Sequence, residues 1–183
     1  PVLETADEDI QKSMRQTAKL LKDAGHTVRT QNSPVSFADI QEQHRLTMEY
    51  EIGRFQRELL DKPKGSVGPY LCEAIERGLE ISEADYFEAR RAIDNARHSF
   101  FNHFPDTDAF LWPATPKTAP KGLEWTGDAS YISPWTALGG PVVTMPAGLS
   151  SENMPIGYLL AGTPGSDYRF AGTARKIADA AER

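Results

Sequence analysis

Cysteine, positive charge and long apolar runs are scarce in this chain, and each shortage narrows what the protein can be. Cys72 is the only cysteine among 183 residues, so no intrachain disulfide can form and we expect a reducing, cytoplasmic location. No apolar run approaches the length of a membrane span, and we expect no signal peptide because the first residues are acidic and mixed. The net charge is −6, which argues against nucleic acid or an anionic membrane as a partner.

Sequence motifs for metal, phosphate and serine chemistry are also missing. The four histidines, His26, His44, His98 and His103, form no His-Glu-x-x-His pattern, and the last two lie on different faces of one predicted helix. Ser99 adjoins His98, but neighbours on a helix point about 100° apart and cannot act as a catalytic pair. The sequence contains neither a P-loop nor a Gly-x-Ser-x-Gly turn. We therefore expect no metal or other cofactor, and the residues themselves indicate no catalytic group.

Two short apolar runs, residues 142–145 and 156–161, dominate the second half of the chain. Each contains β-branched residues and is bounded by Gly and Pro, which is typical of buried strands. The polar stretch 148–153 predicts a turn that places the two strands side by side in one sheet. Gly139 and Gly140 precede the first run, where they predict either a tight turn or a close approach to a ligand or neighbouring strand.

The rest of the chain alternates helix and strand patterns, which predicts an α/β fold in a single unit, helical over 1–104 and strand-rich over 105–183. Its 39% hydrophobic content is ordinary for a globular protein with one core. The predicted helices span 6–24 (capped by Thr5, ended by Gly25), 37–60 (capped by Ser36, with a break near Gly53), 70–77 (ended by Gly78), 83–104 (capped by Ser82) and a last one from Ser166 or Asp167 through 178. Further strands are predicted at 26–30 and 108–112, and a Pro- and Gly-rich loop at 115–128.

One part of the sequence resembles a known family. The run Pro-Trp-Thr-Ala-Leu-Gly-Gly-Pro-Val-Val-Thr-Met-Pro-Ala-Gly, then Met-Pro-Ile-Gly-Tyr-Leu-Leu-Ala-Gly and a closing helix, is similar to the C-terminal part of the amidase signature family. The similarity continues back through Asp-Ala-Phe-Leu-Trp-Pro-Ala-Thr-Pro at 108–116 to the first helix. The resemblance implies part of a mixed β-sheet core covered by helices. It also implies hydrolysis of an amide carbon–nitrogen bond, in a small-molecule substrate, through a serine acyl-enzyme.

The resemblance also implies what this chain lacks. Family members use a serine nucleophile, a bridging serine and a lysine, and the serines lie in a Gly/Ser-rich segment that normally precedes the matching part. No Gly-Gly-Ser-Ser run occurs here. We therefore interpret the chain as the C-terminal fragment of an amidase, without the catalytic triad and inactive alone. By the resemblance, the loop 115–136 faces the substrate, and its lining residues are Trp125, Tyr131, Ile132, Trp135 and Thr136.

Two alternatives stay open. The chain could be a non-catalytic binding or partner subunit, or it could be the amidase-like component (the A subunit) of a glutamine-dependent amidotransferase. Such components carry an aspartate seven residues before the position of Thr136, where this chain has Ala129 beside Asp128. That difference favours a stand-alone amidase. A sheet cut at an internal strand would leave unpaired edges, so we also expect a possible homodimer.

Overall fold

Three antiparallel strands with helices on both faces organise the fold. The structure, a computed structural model, describes residues 3–181. The principal elements are α1 (Glu8–Asp23), α2 (Phe37–Phe55), α3 (Pro69–Glu80), α4 (Glu83–His103), β1 (Phe110–Pro113), α5 (Ser133–Leu138), β2 (Val142–Leu149), β3 (Pro155–Ala161) and α6 (Asp167–Ala181). The strand order is β1-β3-β2, so β3 lies in the middle and the other two strands form the edges. The predicted α/β fold class is confirmed.

The middle strand supplies side chains to two separate cores. Tyr158 and Leu160 pack with Ile10 of α1 and Phe170 of α6. Leu159, which is fully buried, belongs to a second cluster built with α2, α4 and α5. Successive side chains of a strand point to opposite faces, so the alternation along β3 places one core on each side of the sheet. Helices α1 and α6 therefore cover one face, and α2, α4 and α5 cover the other.

The β2–β3 hairpin confirms the predicted pairing of the two apolar runs. Val143 lies opposite Leu160 and Met145 opposite Tyr158 in antiparallel register. Strand β3 is buried as predicted, but the expectation of a buried strand was wrong for β2. Its side chains alternate between exposed and half-buried, because β2 is an edge strand that packs against few helix residues. Leu149 at its end is 63% exposed.

Two of the predicted helix caps are present. Ser36 and Ser82 each accept a hydrogen bond from the backbone N–H three residues later, at 3.2 Å and 3.1 Å, and so satisfy a donor that the first helical turn leaves free. Helix α4 therefore begins where expected. Helix α2 passes through Gly53 without a break and ends at Phe55, after which the chain continues as the short 3₁₀ helix Arg57–Asp61.

Three further local predictions were wrong. Gly78 does not end α3, which continues to Glu80. This glycine serves a tertiary contact instead, because an added Cβ would lie 2.7 Å from the carbonyl carbon of Glu49 in α2. Thr5 does not cap α1, since its hydroxyl is engaged by Tyr131 and the capping position belongs to Asp7. Residues 26–30 form no strand, because they are mostly exposed and have no strand partner.

The length and apolar character of the helices decide whether any of them could span a membrane. Across residues 3–181, no helix combines the length and the apolar character needed to cross a bilayer. The cytoplasmic location expected from the sequence stays a prediction.

A candidate substrate wall at helix α5

Helix α5 follows the long loop after β1 and was not predicted. The loop is tightened at its end by Asp128, whose carboxylate accepts a hydrogen bond from the backbone N–H of Ser130 at 2.7 Å. The carbonyl of Ala129 then accepts from the N–H groups of Ile132 and Ser133, which starts the first turn. Pro134 in that turn has no N–H to leave unpaired and a φ suited to a helix start. Pro134 therefore favours the start of a helix at this point.

The exposed side of α5 carries two of the five predicted lining residues. Ile132 and Thr136 are four residues apart, which places them on the same side of the helix. Ile132 is 38% exposed and Thr136 is also exposed. The threonine hydroxyl makes only a long contact of 3.5 Å with the Ile132 carbonyl, so it is available to a ligand. This surface, Ile132 with Thr136, is called the α5 wall below.

Trp135 lies on the opposite side of α5 and is only 2% exposed. Its ring is 5.5 Å from the rings of Phe37, Phe100 and Trp112, measured between centroids, and 5.7 Å from that of Phe110. Aromatic pairs at such distances stabilise a core beyond the area that they bury. Trp135 therefore anchors α5 to the core, and its role in lining a substrate pocket stays a prediction.

The remaining two predicted residues differ in exposure. Tyr131 is 7% exposed, and its hydroxyl and that of Thr5 form a hydrogen bond of 2.7 Å. This contact ties the start of α5 to the segment before α1, 126 positions away in sequence. Trp125 is 58% exposed and lies in the loop, away from the two cores. The structure thus leaves Trp125 accessible from solvent and buries Tyr131.

The C-terminal end of α5 is held by a residue that the sequence analysis missed. Arg97 of α4 donates hydrogen bonds from Nε to the Leu138 carbonyl at 2.9 Å and from Nη2 to the Ala137 carbonyl at 3.0 Å. Gly139 follows with a φ of +72°, the left-handed conformation that suits glycine at a helix end. Arg97 lies in the middle of the helical pattern of α4, and nothing in the neighbouring sequence indicates that it contacts another helix.

Gly140, the second glycine of the Gly-Gly pair, lies against a distant part of the backbone. An added Cβ would overlap the carbonyl oxygen of Gly162, which follows β3. The N–H of Gly162 donates to the carbonyl of Pro141 at 2.8 Å, so the two backbones are joined directly. The close approach expected at this pair is made to a neighbouring strand end.

Ser133, at the start of α5, is engaged by local backbone. The Ser133 hydroxyl donates to the Ala129 carbonyl at 2.7 Å. Among the described residues, 3–181, no group of three or more His, Cys, Asp or Glu side chains is placed to hold a metal ion. What the geometry offers is therefore a mixed apolar and hydroxyl surface for binding, on a helix fixed at both ends.

Comparisons with known proteins place this fold in a family. The Amidase family model matches residues 2–170. The chain is 26% identical over 106 residues to fatty-acid amide hydrolase 2 of Homo sapiens, a match covering 56% of this chain and 20% of that protein. It is 32% identical over 101 residues to the amidase-like component of the glutamyl-tRNA(Gln) amidotransferase of Neisseria meningitidis, covering 52% of this chain and 21% of that protein. These matches thus span about a fifth of each relative's length.

Solved structures agree in fold. The crystal structure of an amidase superposes with a TM-score of 0.79 at 23% identity, covering 98% of this chain and 42% of the amidase. A 6-aminohexanoate cyclic dimer hydrolase bound to its substrate superposes with a TM-score of 0.73 at 18% identity, covering 97% of this chain and 43% of the hydrolase. The order of elements, the helix-covered sheet and the family match lead to one conclusion: this chain belongs to the amidase family.

Proposed function

We propose that the chain is the C-terminal part of an amidase that hydrolyses a carbon–nitrogen amide bond through a serine acyl-enzyme. The observation that carries the proposal is the coverage: the amidase structure matches 98% of this chain, and this chain matches 42% of it. Nearly all of this chain therefore has a counterpart in the amidase, whereas more than half of the amidase has no counterpart in this chain. The sequence has no Gly-Gly-Ser-Ser run, so the nucleophile would come from outside residues 1–183.

In this proposal the chain supplies part of the substrate pocket. The serine nucleophile attacks the amide carbonyl carbon, the amine departs with a proton, and water then cleaves the acyl ester. The α5 wall would contact the substrate through the Ile132 side chain and offer the Thr136 hydroxyl as a hydrogen-bond partner. Trp125, from the loop before α5, would add apolar contact area. Trp135 and Tyr131 would support this surface from the core side.

Replacing Trp125 in the full-length protein tests the pocket. Loss of the proposed contact between the Trp125 indole and the substrate would remove on the order of 1–2 kcal/mol of binding energy. Trp125→Ala is therefore expected to raise KM about tenfold. Leu123→Ala is the matched control, because Leu123 lies in the same loop, is 99% exposed and has no place in the proposed pocket. If KM and substrate preference are unchanged in Trp125→Ala, Trp125 does not line the site.

An activity assay of the isolated chain tests whether the catalytic triad lies outside residues 1–183. We expect purified residues 1–183 to hydrolyse no amide, while the full-length protein does so. The chain must first be shown to be folded, for example by a cooperative urea transition. Amide hydrolysis by the folded chain that a serine-directed reagent abolishes would contradict the proposal.

A second candidate function is that of the amidase-like component of a glutamine-dependent amidotransferase. The observation in its favour is the 32% identity to that component of the Neisseria meningitidis enzyme. Against it stands Ala129 at the position where the resemblance calls for an aspartate that holds the glutamine amino group. Hydrolysis of glutamine that requires partner subunits would support this candidate. Hydrolysis of simple amides by the full-length protein alone would support the stand-alone amidase.

A further inference from the structure

Arg97 makes three hydrogen bonds, two of which link helix α4 to helix α5. Its Nε and Nη2 donate to the Leu138 and Ala137 carbonyls at 2.9 Å and 3.0 Å, and its Nη1 donates to the Asp94 carboxylate at 2.7 Å. The arginine side chain is 33% exposed, so the guanidinium is partly shielded from water. Asp94 lies one turn earlier on α4 and orients the planar group, while the two other donors reach α5.

Helix α5 depends on such contacts for its position. It has only six residues, and a helix this short is not stable by its own hydrogen bonds. Its last carbonyls have no partner within the helix, and Arg97 supplies donors for two of them. An added Cβ on Gly139 would lie 3.4 Å from Arg97 Nη2, an ordinary van der Waals distance, so the φ of +72° is what favours glycine here. Arg97 and Gly139 together form the C-terminal attachment of α5.

We propose that Arg97 is a positioning residue for the α5 wall, acting through α5 on Ile132 and Thr136. This inference rests on the proposed function of that wall as a substrate-binding surface. The helix is about 9 Å long at 1.5 Å per residue, and its first turn stays held through Tyr131 and Thr5. A tilt of about 10° about that first turn therefore moves the C-terminal end by roughly 1.5 Å and Thr136 by roughly 0.8 Å. Displacements of about 1 Å in a substrate-positioning surface can reduce turnover as much as 100-fold.

Two variants of Arg97 in the full-length protein test the proposal. Arg97→Met keeps most of the side-chain length and removes every donor, and Arg97→Lys keeps the charge but loses the planar fork. Arg91→Met is the control, because Arg91 is on the same helix and exposed. Hydrogen exchange is read at the Thr136 and Gly139 amides, whose hydrogen bonds lie within α5. Amide hydrolysis is measured with a small aliphatic amide and a bulky anilide.

The expected result is exchange at least tenfold faster at both amides in Arg97→Met, with kcat/KM for the anilide at least tenfold lower. The loss for the small amide is expected to be smaller, because a small substrate makes fewer contacts with the α5 wall. Uniform destabilisation would instead lower both activities alike. Arg97→Lys is expected to lose threefold or more for the anilide, and less than the Met variant. The Arg91→Met control should stay within twofold of wild type.

The outcomes separate this proposal from the proposed function. Exchange and anilide kinetics within twofold of wild type in Arg97→Lys overturn the positioning role, even if Arg97→Met fails to fold. Faster exchange with equal losses for both amides also overturns it, since the arginine would then serve stability alone. A wild-type full-length protein that hydrolyses no amide overturns the proposed function, and with it the positioning role in hydrolysis. The exchange data then show only whether Arg97 holds α5.

Discussion

Replacing Gly78 with alanine tests how closely α2 and α3 approach one another. The two helices cross at Gly53 and Gly78, where an added Cβ on either glycine would meet the backbone of the other helix. For Gly78 the Cβ would lie 2.7 Å from the Glu49 carbonyl carbon and would overlap the carbonyl oxygen. Backbone atoms cannot move aside as a flexible side chain does, so the two helices must separate.

Two opposing terms set the size of the effect. Alanine is favoured over glycine inside a helix by about 1 kcal/mol. Forcing extra volume into a close-packed contact costs about 1–3 kcal/mol and occasionally more. The overlap at Gly78 is with backbone, and Ile75 in the same helix is fully buried, so we take the upper end. The net expectation is a loss of about 2 kcal/mol in the free energy of unfolding.

Gly172→Ala is the matched control. Gly172 lies inside α6, is exposed, and has no atom within 4 Å of an added Cβ. It should therefore gain about 0.5–1 kcal/mol from helix propensity and reduced unfolded-state entropy. Urea unfolding followed by far-ultraviolet circular dichroism measures both variants. If Gly78→Ala is stabilised as much as Gly172→Ala, the described helix crossing is wrong.

Three further predictions concern charge and assembly. Glu49 is buried between Arg45 and Arg77, at 2.7 Å and 2.9 Å, so Glu49→Gln should cost about 1–2 kcal/mol of unfolding free energy in urea titrations; a change below about 0.3 kcal/mol would contradict this. Hydrogen bonds from Ser151 lower the pKa of Asp9 from 3.8, so this carboxylate stabilises the fold above that pH, and the stabilisation is lost as the pH falls through the lowered value. The difference in urea midpoint between wild type and Asp9→Asn should thus be present at pH 6 and vanish in strong acid; a difference that is constant with pH would refute the assignment. The outer edges of β1 and β2 have no strand partner within residues 3–181, so light scattering of the isolated chain should give the mass of a dimer, and a monomer would refute the expectation.

The sequence predicted the parts of the fold that follow from local patterns. Strands β2 and β3 were located because short apolar runs bounded by Gly and Pro have few alternatives to a sheet. Helices α2 and α4 begin directly after Ser36 and Ser82, because a serine hydroxyl at the capping position accepts a hydrogen bond from a free N–H group of the first turn. Both kinds of signal act over a few residues, so they can be recognised without knowledge of the rest of the chain.

The failures arise where distant residues decide the local structure. Gly78 is the typical helix-ending residue by sequence, yet it lies inside α3 because Glu49 of another helix packs against it. Arg97 could not be identified as the residue that holds α5, since the carbonyls it binds are 40 and 41 positions away. Trp135 is an aromatic residue in a candidate binding segment, and only the packing shows that it is buried while Thr136 beside it is exposed. Aromatic residues suit pockets and cores equally, so sequence alone does not separate the two.

The location of the nucleophile tests the central claim most directly. The protein encoded by the complete reading frame would be treated with a fluorophosphonate, which labels activated serines, and the labelled peptide would be identified by mass spectrometry. The account predicts one labelled serine outside residues 1–183, with loss of amide hydrolysis in proportion to labelling. Labelling of a serine within these residues, such as Ser130 or Ser133, together with loss of activity, would contradict it. So would amide hydrolysis with no labelled serine.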